Sequence, residues 1–128
     1  MTPLAATADT LAYELAVMGM YLDLPDTPVS VSLWDRQQAQ RWDHAGVPLR
    51  TVQTALLLGS LRRLLRPPKT PRLAPIRSLA YFQPVVEELL QTPVPDGYCA
   101  YLQSKLQAYL RDHPSLDPHA DSAQAEPG

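Results

Sequence analysis

"PLRTVQTALLLGSLRRLLRPP", residues 48 to 68, is the stretch on which the fold turns. Pro48 suits a first helical turn, which has no use for the N–H it lacks, and Pro67 stops a helix that reaches it. Between them Leu49, Val52, Leu56 and then "LLLGSLRRLL" are apolar on too many sides for a surface helix, so the segment is expected to be the central helix of a bundle. Composition agrees: 45% of the 128 residues are hydrophobic, Leu and Ala lead them, β-branched residues are few and there are five glycines, which favours helix over sheet. The expected architecture is all-α, a compact bundle of about five helices. Residues 1–113 would form a single helical domain and 114–128 a flexible acidic tail.

Working outward, Leu11, Leu15, Met18 and Leu22 recur at helical spacing, which predicts a first helix from near Asp9 or Thr10, buried along that stripe and closed by Pro25. "LPDTPVS", residues 24–30, reads as an extended connector. Ser32 is the expected N-cap of a second helix, with Asp35 at the third position where a carboxylate suits the positive end of the dipole, and that helix should run to about Ala45. Gly46 supplies the left-handed residue before the central helix. Downstream, Arg66 to Pro75 is a proline-rich basic loop. "PIRSLAYFQPVVEELLQ" puts Ile76, Leu79, Phe82, Val86 and Leu89 on one stripe, with Pro84 marking a kink or the opening of a fresh helix. A fifth helix is predicted from about Asp96 to His113, buried through Tyr98, Leu102, Leu106 and Tyr109.

Charge is distributed unevenly. Residues 44–86 hold seven Lys or Arg and no acid, whereas residues 1–43 carry a net −4 and residues 87–128 a net −5. Arg62, Arg63, Arg66, Lys69, Arg72 and Arg77 fall at the end of the third helix, across the loop and at the start of the fourth, so they can share one edge of the bundle. Such an edge suits a DNA or RNA backbone, because each neutralised phosphate releases counterions without any reading of bases. Two other readings stay open: the cations could meet an acidic protein surface, or pair with acids of the chain itself, Arg62, Arg63 and Arg66 also suiting a helix C-terminus. Trp34 and Trp42, eight residues apart, can share a helix face. Tyr81, Tyr98, Tyr101 and Tyr109 are read mainly as packing residues, with Trp34 the aromatic least bound to that role.

Enzyme chemistry finds no footing. His44, His113 and His119 are scattered, Glu87 and Glu88 are adjacent and so diverge on a helix, and neither a nucleophile turn nor a Gly-rich phosphate loop is present. "HPSLDPHAD", residues 113–121, offers His113, Asp117, His119 and Asp121, but two prolines and no scaffold favour a tail over a metal site. No metal or cofactor is expected. Cys99 is the only cysteine, which rules out an internal disulfide and fits a reducing, cytoplasmic setting. The longest apolar run, "ALLLG" at 55–59, is too short to cross a bilayer. The helix, turn, helix about Gly46 admits a major-groove reader, yet Trp42 is bulky before the turn and mainly Leu and Ala follow Thr54, so a packed helical hairpin is preferred.

"DRQQAQRWDHAGVPLRTVQTALLLGSLRR" followed by "PIRSLAYFQPVVEELL" resembles a pattern in small helical proteins of bacterial mobile elements. It is also weakly similar to the helical module of DnaD-like primosomal proteins, over roughly residues 35–90. The resemblance implies a DNA-associated accessory role with Tyr81 and Phe82 in the aromatic position. Residues and resemblance together lead to one expectation: a non-enzymatic accessory subunit that holds nucleic-acid backbone through Arg62 to Arg77. It would dock on a larger replication, transposition or RNA-guided effector protein. The rival is a protein-interaction module, a regulator or inhibitor, without nucleic-acid contact.

Overall fold

The computed structural model describes residues 3–116 other than Val29, Pro68 and Arg72, with backbone alone for residues 3–8. Five helices follow one another: α1 (Pro3–Leu22), α2 (Leu33–His44), α3 (Leu49–Leu64), α4 (Gln83–Gln91) and α5 (Tyr98–Asp112). One 3₁₀ turn, Leu79–Phe82, precedes α4 and another, Pro114–Leu116, follows α5. The chain is an all-α bundle, and among the described residues no helix is long and apolar enough to cross a membrane.

Helix α3 is the hub. Half of its residues are buried, and it packs on α1, α4 and α5, while α2 leans on α1 and on the first 3₁₀ turn. The expected packed hairpin of the second and third helices does not form along their length. Gly46, at φ +78°, lets them diverge, so that both pack on α1 and the first 3₁₀ turn while only α3 meets α4 and α5 along its length. At Gly59 α3 comes so close to Phe82 that a Cβ would stand 2.8 Å from two of its ring carbons.

Local signals set most boundaries. Ser32 caps α2 as a complete capping box: the Asp35 N–H donates to Ser32 Oγ at 3.2 Å and the Ser32 N–H donates to Asp35 Oδ2 at 2.9 Å. The other Asp35 oxygen accepts the Leu79 N–H at 2.8 Å, so one buried carboxylate fixes both the helix start and the first 3₁₀ turn against it. Pro84 stands in the opening turn of α4, where it removes no helical bond. Ile76, Leu79, Phe82, Val86 and Leu89 are all buried, as their spacing predicts.

Helix α1 departs from expectation. It begins at Pro3, well before Asp9, and from Asp9 onward its buried residues are Glu14, Val17, Met18 and Tyr21, while Leu11 and Leu15 face solvent, Leu15 at 59% exposure. The reason is Glu14. Its carboxylate accepts from Arg36 Nε and, at 2.7 Å, from Gln40 Nε2, both on α2, and this polar seam turns two leucines outward. Burial pushes the Glu14 carboxyl up, but the bonds from Gln40 and Arg36 outweigh it and hold the group below the usual carboxylate range. Tyr13 adds a second tie, its hydroxyl donating to the Val47 carbonyl at 2.8 Å; burial, with Asp43 nearby, pushes its pKa up to about 12.

Pro114–Leu116 form a 3₁₀ turn packed on α5, and the remaining residues of the predicted tail, 117–128, lie outside the described residues.

Candidate nucleic-acid interface and docking groove

A proline-rich loop has carbonyls but few N–H groups to satisfy them, since every proline removes a donor. Between α3 and the first 3₁₀ turn the missing donors come from arginine. Arg63 Nη2 donates to the Ala74 carbonyl at 2.8 Å and to Asp26 Oδ2 at 2.7 Å, and Arg66 Nη1 donates to the Pro71 carbonyl at 2.9 Å. The Asp26 carbonyl accepts the Ile76 N–H at 3.0 Å, so Asp26, in the left-handed region at φ +67°, clasps the loop from the other side. Asp is among the few side chains that tolerate that backbone.

The six predicted cations therefore have different fates. Arg62 forms a two-pronged bond to Glu88 of α4, at 2.8 and 2.6 Å, and draws the Glu88 carboxyl below its usual range. The pair is half-exposed, so water screens it, and its main effect is to orient both side chains. Arg63 is only 9% exposed, with its guanidinium 5.2 Å from the Tyr81 ring centroid. Burial works against its charge, while Tyr81 and Asp26 more than compensate and raise its pKa. As a phosphate contact Arg63 is corrected: its charge is spent holding the loop. Arg66 is anchored by a neutral carbonyl and keeps its net charge. Lys69 and Arg77 are exposed and have no side-chain partner among the described residues, and Arg72 lies outside them.

Of the aromatic candidates, Trp34 is 70% exposed at the start of α2, beside exposed Leu33, and Tyr81 is partly exposed. Phe82 is corrected: it is fully buried, edge-on to both Tyr21 and Tyr81, and has no surface to offer a ligand. Trp42 is core. Its indole N–H donates to Gln83 Oε1, which also accepts from Gln38 Nε2 at 3.2 Å and so ties α2 to the start of α4.

Two depressions accompany this surface. One, of about 540 Å³, lies where the starts of α3 and α5 meet the end of α4, with Arg50, Leu90, Val94 and Cys99 among its walls. The other, of about 480 Å³, runs between the second half of α3 and the first half of α5. Its Tyr98 and Tyr101 rings stack with centroids 6.1 Å apart, and Lys105 Nζ sits 5.8 Å from the Tyr101 centroid. Sequence reasoning missed Lys105, because it comes to line the same depression as Arg66 only when α5 packs on α3. Among the described residues no three His, Cys, Asp or Glu side chains converge as metal ligands would. No family model, curated protein or solved structure matches this chain.

Proposed function

We propose that this chain is a non-enzymatic accessory subunit that holds DNA or RNA backbone on its 66–77 loop and docks on a larger replication, transposition or RNA-guided effector protein, which performs the chemistry. The observation that carries the reading is a pinned loop with cations to spare. Arg63, Arg66 and Asp26 fix its course, while Lys69 and Arg77 stand exposed and unpartnered among the described residues, and no acid occurs from residue 44 to 86. A fixed array of positive charge suits phosphate recognition, since little ordering remains to be done on binding.

The test is a salt titration of binding to labelled single-stranded DNA, duplex DNA and RNA. The Lys69→Ala/Arg77→Ala variant is expected to bind more weakly to every sequence and, on duplex, to lower the log–log salt slope by about 1.8, two phosphates' worth. Arg62→Ala serves as a control, because its charge is already matched by Glu88. Absence of wild-type binding at low salt, or an unchanged slope in the double variant, refutes the reading. The second reading, a protein-interaction module alone, is favoured by Leu33 and Trp34 standing exposed side by side. Under it Trp34→Ala removes partner binding and the loop variant does not.

A further inference from the structure

The groove between α3 and α5 is lined at helical spacing from both sides. Leu58 and Leu65 come from the α3 side, Tyr98 and Tyr101 from α5, and Pro67 closes one end. From Leu58 to Leu65 and from Tyr98 to Lys105 each wall spans seven residue steps, about 10 Å at 1.5 Å per residue, or two turns of a visiting helix. Leu65 and Tyr101 are large apolar residues left about half exposed, although each borders buried core through Leu61 and Leu102.

The rim is positive. Among the described residues no Asp or Glu lines the groove, and a cation without an acidic partner stands on each side: Arg66, bonded to a neutral carbonyl, and Lys105 over the Tyr101 ring. Arg62 borders it as well, but Glu88 matches its charge. A leucine floor whose two tyrosines stack on each other, one of them beneath Lys105, with cations on opposite walls, differs from a nucleic-acid track, in which cations follow the strand and free aromatic faces take successive bases. It matches the groove that receives the apolar side of an amphipathic segment. Residues 117–128 carry Asp117, Asp121 and Glu126 but no Leu, Ile, Val, Met, Phe, Tyr or Trp with which to fill such a floor.

We propose that this groove docks a short acidic segment of a partner protein, which inserts two bulky apolar side chains three or four residues apart between α3 and α5, with its carboxylates over Arg66 and Lys105. The inference can be separated from the nucleic-acid reading by variant, because Lys69 and Arg77 do not line the groove, although Arg66 and Pro67 of the same loop do.

The test is a random-peptide display selection on the full chain, followed by fluorescence anisotropy with a synthetic peptide of the enriched sequence. The expected peptides carry paired bulky apolar residues and Asp or Glu flanks. Binding should fall at least tenfold in Leu65→Asp and in Lys105→Glu, and a peptide with Lys in place of its acids should regain affinity for Lys105→Glu. Lys69→Ala/Arg77→Ala should bind the peptide as the wild type does. All substituted side chains are exposed, and Lys105→Glu keeps the test standing if Leu65→Asp does not fold. The proposal is overturned if no peptide is enriched, if enriched peptides lack acidic flanks, or if Leu65→Asp and Lys105→Glu bind them undiminished. Displacement of the peptide by an equal concentration of oligothymidylate also overturns it, since the groove would then belong to nucleic acid.

Discussion

Replacing Gly59 with Ala pits two effects of opposite sign against each other. In a helix interior Ala is better than Gly by about 1 kcal/mol, so an unhindered site would gain stability. Here the added methyl would lie 2.8 Å from both Cδ1 and Cε1 of Phe82. Normal carbon contacts begin at about 3.5 Å, so the ring must retreat by roughly 0.7 Å. It has little room, being fully buried with Tyr21 and Tyr81 set edge-on against it. Overpacking of this kind costs about 1–3 kcal/mol, and since such values come from whole substitutions the expected net loss is about 1–2 kcal/mol. With an unfolding entropy near 2.1 cal/mol/K per residue, that lowers Tm by roughly 4–8 °C for a chain of this size. Urea and thermal unfolding followed by far-UV circular dichroism measure it. Pairing Gly59→Ala with Phe82→Leu, which withdraws the flat ring, should reveal a coupling of about 1 kcal/mol in a double-mutant cycle. A Gly59→Ala protein as stable as the wild type, or more so, refutes the close approach of α3 to the 3₁₀ turn.

Three further outcomes follow from buried polar groups. Among the described residues the Tyr21 hydroxyl is buried without a hydrogen-bond partner, so Tyr21→Phe should leave stability unchanged or raise it by up to about 1 kcal/mol in the same unfolding assay. Asp35→Ala leaves the Ser32 Oγ cap bond in place but strands the Ser32 and Leu79 N–H groups, which should cost about 2–4 kcal/mol, while Ser32→Ala, losing only the bond from the Asp35 N–H, should cost about 1 kcal/mol. Glu14 is held below its ordinary pKa in the folded chain, so its contribution is present above the unfolded carboxylate value and lost as pH falls through the folded one. Urea midpoints measured from neutral pH downward should therefore decline on entering the acid range, and Glu14→Gln should start lower and decline less.

What could be foreseen from the residues was local. Ser32 with Asp35, Gly46 and Pro84 act within a turn or two of their own positions, and the Ile76 to Leu89 stripe has one apolar face with no polar competitor. Helix α1 misled because Leu11, Leu15, Met18 and Leu22 form an acceptable stripe, while the buried face carries a glutamate that hydropathy assigns to water. Only Arg36 and Gln40, more than twenty residues on, make that burial affordable. The basic edge was visible as composition but not as disposition. Whether an arginine is free depends on Asp26, Glu88 and two loop carbonyls, none of which charge counting along the chain can place.

The arginine fastenings of the loop have a consequence for how this chain can change in length. One residue inserted within α3 would rotate everything after it by about 100°, carrying Arg62, Arg63 and Arg66 away from Glu88, Asp26 and both loop carbonyls in a single step. A residue inserted near Lys69 alters only the arc that Arg66 closes through its bond to the Pro71 carbonyl. Variants of this protein that still fold should therefore differ in the size of the loop tip while conserving the number of residues from Pro48 to Arg66, so that the cationic tip can be reshaped while its mounting keeps one length.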